Sequence, residues 1–396
     1  MKSKSDHSAT VTPDHAFPAI SLVAAVSLAD SLDSFQPLGN EAILRLSRQG
    51  GRPGFRDLAT IERLTGVRSR RLLQPGITPL HLVHELSCSL QQRFGIVPNC
   101  CNRVLLCHSH VDPRAASTLA AAVATELGLP DSHVQGLNFG CTGFVQLLCE
   151  AVAIFQTEPD VHRIALFTVE TPESWHCSAD RLFCGIVGAG ATAVVLERGA
   201  AQQEFRPPVQ HALRPPGNSP ATGSGWRLLG VDRADLLVQP QPADAPLFSV
   251  ETCDGFTFHG EPVRRSVMRM QAEEVFVHGI ELMLLALRRA LKAHPPRPDQ
   301  RVLVLPHQPS GKLLRAFMVA ARHEFPGCWF VENLEAHGNS ISCTIPQQLS
   351  GLPDVCQRNS FPVPRQHDLL IAVAAGICMH RKHDHMAFGY AVLQPA

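Results

Sequence analysis

RVLLCHSHVDPRAASTLAAAVATELG (Arg103–Gly128) runs from a short leucine and valine segment through a polar turn into an alanine-rich segment at helical spacing. RVLVLPHQPSGKLLRAFMVAARHEF (Arg301–Phe325) repeats that plan 198 residues further on (301 minus 103). The same offset carries Gly140-Cys141 onto Gly338-Asn339, each in a loop ahead of an expected helix, and a nearly equal one carries ATAVVLE (Ala191–Glu197) onto GYAVLQ (Gly389–Gln394). This common register reads as two copies of one α/β unit packed about a pseudo-twofold axis.

Size and composition agree. A chain of 396 residues, 45% hydrophobic and 18% charged, can bury large cores and has the length of two domains or one duplicated domain. Lys+Arg and Asp+Glu are both 35, so no sequence-wide field exists to hold nucleic acid or an anionic membrane. The N-terminal MKSKSDHSATVTPDH lacks the apolar core of a secretory signal, and the longer apolar runs read as too short for a membrane span. The expected location is the cytoplasm, with neither membrane nor nucleic acid as partner. Thirteen cysteines without a CxxC pair argue against a disulfide framework or a zinc ribbon and read as mostly buried filler.

Residues 1–16 read as a disordered tail, 17–205 as the first half and 227–396 as the second. Between them RPPVQHALRPPGNSPATGSGW (206–226) is too rich in proline, glycine and serine for a helix or a central strand, and reads as a linker or long surface loop. From Arg264, RRSVMRMQAEEVFVHGIELMLLALRRALKAH reads as a packing helix without chemistry, ended by His294-Pro295-Pro296.

Three residues stand out as candidates for chemistry. Cys141, in GLNFGCTGFVQLLCEA (136–151), lies between glycines ahead of an apolar run. At a helix start the macrodipole and unpaired N–H groups favour a thiolate, and the glycines let a carbonyl approach. An arbitrary cysteine in such a corner is more often an inert buried thiol, so the assignment needs partners. His307, in LPHQP, follows an apolar strand at the end where α/β proteins gather active groups. Asn339 lies in EAHGNSISCTIP, at the corner that the internal repeat places opposite Cys141.

GLNFGCTGF, DRLFCGIVGAGATAVVLE (180–197), LPHQP, HGNSISCTIP and IERLTGVRSRR (61–71), in that family's order from about Ile20 to Leu393, resemble the beta-ketoacyl-(acyl carrier protein) synthase III family of the thiolase superfamily. The resemblance implies an α/β thiolase fold: two duplicated βαβαβ-type halves in a five-layered αβαβα arrangement, usually as a homodimer. It implies that Cys141 takes an acyl group from acyl carrier protein or coenzyme A, and that backbone N–H groups at Cys141 and near Gly376 hold the oxyanion. His307 and Asn339 would then stabilise the enolate of a decarboxylating malonyl thioester, with no metal or other cofactor. Arg181 matches an arginine that helps hold the phosphate-bearing carrier.

Several positions depart from that pattern. Thr60 and Leu64 stand where enzymes using coenzyme A carry a tryptophan and an arginine, and Ser310 replaces the asparagine of the histidine motif, leaving Lys312 or Arg315 as the nearest cations for the carrier. Ala189 replaces an acidic residue, and a polar segment appears inserted across 377–388, where His380, His383 and His385 read as solvated or carrier-contacting and not as metal ligands. These departures point to a specialised paralogue in fatty-acid-like, polyketide or other secondary-metabolite biosynthesis. Acyl transfer to an alcohol or amine would use the same residues; a silent dimer partner is the third reading, and the intact Cys141, His307, Asn339 set argues against it. A dinucleotide site is excluded because the glycines of GIVGAGATAVVLE precede a strand-like run instead of following one.

Overall fold

In a computed structural model, the described residues are 17–49, 53–176, 180, 183–199, 225–238, 246–380 and 384–396. The first half runs β1 (Ile20–Ser27), β2 (Phe35–Gly39), α1 (Asn40–Ser47), α2 (Leu58–Thr65), β3 (Ser69–Leu73) and α3 (Pro79–Phe94). It continues through β4 (Arg103–Cys107), α4 (Ala115–Leu127), β5 (Val134–Leu137), α5 (Gly143–Thr157), β6 (Arg163–Glu170) and β7 (Gly190–Arg198). The second half runs β8 (Trp226–Leu237), β9 (Phe248–Phe256), β10 (Pro262–Met270), α6 (Ala272–Ala293), β11 (Val302–Pro306) and α7 (Gly311–Glu324). It ends with β12 (Cys328–Phe330), α8 (Leu334–His337), α9 (Thr344–Ser350), α10 (Leu352–Arg358), β13 (Leu369–Ile377) and β14 (His385–Pro395).

Ten of the strands pair in the order β12-β11-β13-β14-β8-β1-β7-β6-β4-β5. Read outward from the β1–β8 junction, β1-β7-β6-β4-β5 and β8-β14-β13-β11-β12 are the same sequence of strand roles. The pairing directions match as well: β4 is parallel to β5 and β6, β11 is parallel to β12 and β13, and the remaining pairs of each half are antiparallel. The duplication expected from the sequence is the architecture. Strands covered on both faces must be apolar throughout, as β13 is: LLIAVAAGI is buried along its whole length.

Helices α3 and α4 cover one outer face, and α6 and α7 the other. Helix α5 packs on β4 and β6 of its own half and on β8 and β14 of the other, while α9 packs on β1 and β7 across the junction. The two central helices share one core with both half-sheets, which gives the five layers of the thiolase fold. Local signals set the outer helices: Thr78 caps α3 in a reciprocal arrangement with His81, Asp57 accepts from the Thr60 N–H at 2.7 Å to cap α2, and left-handed glycines Gly66, Gly95 and Gly128 end α2, α3 and α4.

The structure corrects four expectations. The Arg264 run is not one helix: its first residues complete β10, paired along its length with β9, and α6 starts only at Ala272. The apparent insertion across 377–388 is in part strand: Ile377 ends β13 and His385–Phe388 belong to β14, paired through Ile377↔Met386. The two helix-start corners also align differently: a single 3₁₀ turn precedes each central helix, Gly140–Thr142 before α5 and Ile341–Cys343 before α9. That register is 201 residues and sets Cys141 opposite Ser342, three residues beyond Asn339. Finally, Gly140–Thr157 has the length (18 residues) and mean hydropathy (1.2) of a membrane span, contrary to expectation; here it is the helix packed between the half-sheets. Residues 1–16 and 206–224, read as tail and linker, lie outside the described residues, and Trp226 is already the first residue of β8.

Candidate active site

Cys141 follows Gly140, whose φ of +60° turns the chain from β5 into the 3₁₀ turn ahead of α5. Gly376, at the end of β13, lies directly behind the thiol: a Cβ there would stand 2.6 Å from Cys141 Cβ and 3.2 Å from its Sγ. Gly143, one turn on, is equally confined, with Cys107 Sγ at 2.3 Å and Ser342 Cβ at 2.8 Å from the position of a Cβ. The first turn of α5 is thus locked between β4, β13 and the 3₁₀ turn of the other half.

Burial, and then the carboxylate of Glu170, push the Cys141 thiol up to about 12. This reverses the thiolate expected from the helix start. Raising a thiol from 9 to about 12 corresponds to roughly 4 kcal/mol, whereas a helix terminus returns at most about 2 kcal/mol in a favourable buried geometry. Desolvation outweighs the helix start and favours the thiol over the thiolate, even though Cys141 is only partly buried where it lines the cavity.

His307 comes directly after β11; its N–H donates to the Val373 carbonyl at 2.8 Å, tying the loop to β13. Its Nδ1 lies 2.7 Å from Thr344 Oγ1, while its Nε2 is buried without a hydrogen-bond partner among the described residues. Burial depresses the imidazole to about 3, so the ring is neutral at ordinary pH. Asn339 is held by four hydrogen bonds: its N–H donates to the Ile186 carbonyl at 2.9 Å, its carbonyl accepts from the Gly188 N–H at 3.0 Å, its Oδ1 accepts from the Ile341 N–H at 2.8 Å, and its Nδ2 donates to the Pro309 carbonyl at 3.2 Å. The turn it braces is strained, because Ile341 is a β-branched residue at φ +53°.

Cys141, His307, Asn339, Gly376, Ser310 and Lys312 all line one cavity of about 970 Å³. Of these, Ser310 uses its hydroxyl to cap α7, accepting from the Leu313 N–H at 3.3 Å, and the Lys312 ammonium stands 5.1 Å over the Phe276 ring. Arg315 is turned elsewhere, donating to the Arg63 carbonyl at 3.2 Å and tying α7 to α2. Leu64 lies on the cavity rim with 41% of its surface exposed, an apolar residue at the place expected to hold a cation. Arg181 and His383 lie outside the described residues.

Three features escaped the sequence reading. Glu170 ends β6 fully buried, accepts from the Ser109 N–H at 3.1 Å and the Ser109 hydroxyl at 2.8 Å, and also accepts from the Ser342 hydroxyl; burial still pushes its carboxyl up to about 8. An acid closing the apolar run RIALFTVE was the available signal. Thr344, which touches His307, is five residues after Asn339 and carries no signal in one sequence. The third is the cavity wall: Met268 and Met270 of β10 with Val275, Phe276, Gly279 and Met283 of α6 line it, so the supposed packing helix bounds the site. Nearby, the ligand-type atoms of Asp235, Cys378 and His380 lie within 4.8 Å of one another, and the Arg233 guanidinium donates to Asp235, so positive charge there already comes from the protein.

No protein-family model matches the chain. Beta-ketoacyl-(acyl carrier protein) synthase III of Oleidesulfovibrio alaskensis is 24% identical over 308 residues, 76% of this chain and 82% of that protein. The enzyme of the same name from Synechococcus sp. (strain WH7803) is 28% identical over 288 residues, 72% and 76% of the two chains. Among solved structures, 3-oxoacyl-(acyl carrier protein) synthase III of Pseudomonas aeruginosa PAO1 superposes with a TM-score of 0.67 at 22% identity, covering 95% of this chain and 98% of that one. The priming beta-ketosynthase of the R1128 polyketide pathway gives 0.65 at 17% identity, covering 97% and 99%.

Proposed function

We propose, from the premise that the chain is a beta-ketoacyl-(acyl carrier protein) synthase III-like condensing enzyme of the thiolase fold, that Cys141 is acylated by a carrier-protein or coenzyme A thioester. The acyl group is then condensed with a malonyl-type thioester. The observation that carries this reading is that Cys141, His307 and Asn339, from both halves of the duplicated fold, line one cavity.

In the first half-reaction, Cys141 Sγ attacks the thioester carbonyl, the C–S bond to the carrier breaks, and the thiol proton passes by way of His307 Nε2 to the departing sulfur. Burial raises the Cys141 thiol and lowers the His307 imidazole, so both shifts disfavour a resting thiolate–imidazolium pair. No such pair is stored beforehand; the proton moves as the C–S bond forms. Thr344 decides whether Nε2 can receive it. When its hydroxyl donates to the Ile341 carbonyl, 3.2 Å away, Oγ1 accepts from His307 Nδ1–H and Nε2 is a free lone pair.

In the second half-reaction the malonyl carboxylate leaves as carbon dioxide, and the enolate oxygen takes hydrogen bonds from His307 Nε2–H and from the second hydrogen of Asn339 Nδ2. The Thr344 hydroxyl, turned onto Nδ1, sets the tautomer that this needs. The enolate carbon attacks the acyl carbon, the bond to Cys141 Sγ breaks, and the departing thiolate takes a proton from water admitted to the cavity. A homodimer and a role in polyketide or related secondary metabolism belong to the same proposal, and the apolar Leu64 at the rim favours carrier protein over free coenzyme A.

Single-turnover mixing of octanoyl-loaded protein with malonyl carrier protein tests it. Condensation releases one carbon dioxide per acyl group and yields a beta-ketoacyl thioester. Loss of the octanoyl group to an added alcohol or amine without carbon dioxide would replace condensation by simple acyl transfer.

A further inference from the structure

The wall of the cavity is apolar along β10 and α6 but not throughout. Trp175 and His176, after β6, also line it and are 3% and 1% exposed. The His176 ring lies between Trp175, tilted at 37° with ring centroids 4.0 Å apart, and Phe183, stacked at 4.0 Å and 23°. Among the described residues, neither ring nitrogen of His176 has a hydrogen-bond partner, and neither does Trp175 Nε1.

Three buried polar atoms without partners on two adjacent residues of the wall are an expensive arrangement, since each unsatisfied group costs about 1–3 kcal/mol. A histidine that only filled space between aromatic rings would do so at lower cost as phenylalanine. Burial, and then the neighbouring positive charge of Arg265, hold the imidazole well below its ordinary range, so it is neutral. A neutral imidazole offers one donor and one acceptor, and the indole adds one donor. That set complements a hydroxyl, which both accepts and donates, or a ketone oxygen with two lone pairs. It does not complement a plain alkyl chain.

We infer that His176, with Trp175, is a specificity-determining residue that selects an acyl chain carrying a neutral oxygen substituent, a hydroxyl or keto group, over the saturated chain of the same length. The inference rests on the acyl-loading reading of Cys141. It assigns His176 no part in bond making; the ring recognises the chain that Cys141 carries. Discrimination follows from the unpaired atoms: a site that must hydrogen-bond its substrate rejects the analogue lacking the group far more strongly than an apolar pocket rejects one methylene.

The test is the rate at which the protein acquires acyl mass from decanoyl-pantetheine thioesters that are unsubstituted or carry one hydroxyl at carbon 3, 5, 7 or 9. At least one hydroxylated chain is expected to load about tenfold or more faster than decanoyl. His176→Phe is expected to erase that preference while loading decanoyl at least as fast as the unaltered protein, and His176→Gln, which keeps a donor and an acceptor, to retain part of it. Should His176→Phe not fold, Trp175→Phe removes one donor and is expected to weaken the preference. Equal or faster loading of decanoyl against every hydroxylated chain, or a preference unchanged in His176→Phe, overturns the inference and leaves the Cys141 reading standing. Failure of every chain to load overturns both.

Discussion

Gly376 and Cys141 meet across the two halves of the fold with no space between them: a Cβ on the glycine would stand 2.6 Å from Cys141 Cβ and 3.2 Å from Sγ. The strand end that carries Gly376 therefore sets where the sulfur can be.

Gly376→Ala must push Cys141 out of its place, because β13 is buried along its whole length and Gly376 is held in register with Ala387 of β14. The variant is predicted to stay folded, with a melting temperature lowered by a few degrees, and to lose acyl loading by about a hundredfold or more, since displacement of about 1 Å at a reacting atom has that effect. Loading within threefold of the unaltered protein would show that the contact does not position the thiol.

Because burial raises Cys141 to about 12, its alkylation rate is predicted to climb about tenfold per pH unit from pH 7 to 9.5 without levelling off. The same peptide in denatured protein should level off near an ordinary thiol value, about 8.5. Site-resolved labelling with iodoacetamide reads both, and a plateau below pH 8 in the folded protein would mean that a thiolate exists at rest.

Thr344→Val keeps the shape of the side chain and removes the oxygen 2.7 Å from His307 Nδ1. Turnover is predicted to fall about ten- to a hundredfold with little change in melting temperature, and Thr344→Ser to restore most of it. A Ser variant as slow as the Val variant would assign the effect to packing and not to the tautomer.

Glu170, an acid whose folded value is about 8, makes the fold more sensitive to alkali. In the unfolded chain the group ionises near 4.5, so between that pH and about 8 the unfolded state binds fewer protons and stability falls as pH rises. The contribution of this group is full below 4.5 and gone above about 8. Melting curves of Glu170→Gln at pH 5, 6.5 and 8 should therefore gain on the unaltered protein as pH increases; parallel curves would mean that Glu170 ionises normally when folded.

The duplicated fold is legible in the sequence because strands covered on both faces carry continuous apolar runs, and RVLLC and RVLVL fall at matching places before their helices. The pairing of individual residues is less legible. An offset of 198 taken from those strands slides by three at the central corners, so Cys141 faces Ser342 and not Asn339. The segment RRSVMRM alternates as a strand on a two-stranded ribbon, but its apolar residues run into the helical spacing of α6 and conceal the boundary. The unpaired nitrogens of His176 and the contact between Thr344 and His307 arise only from tertiary packing. Among twenty histidines, position relative to a strand end singles out His307 and says nothing of His176.

Whether Cys141 carries the acyl group is tested most directly by intact-protein mass after incubation with acyl carrier protein or coenzyme A thioesters, alongside Cys141→Ala. The predicted result is one acyl increment on the unaltered protein, mapping to the peptide that contains Cys141, and none on the variant. An increment of equal size on Cys141→Ala, or none on either protein from any donor under conditions where a synthase III control loads fully, would contradict it.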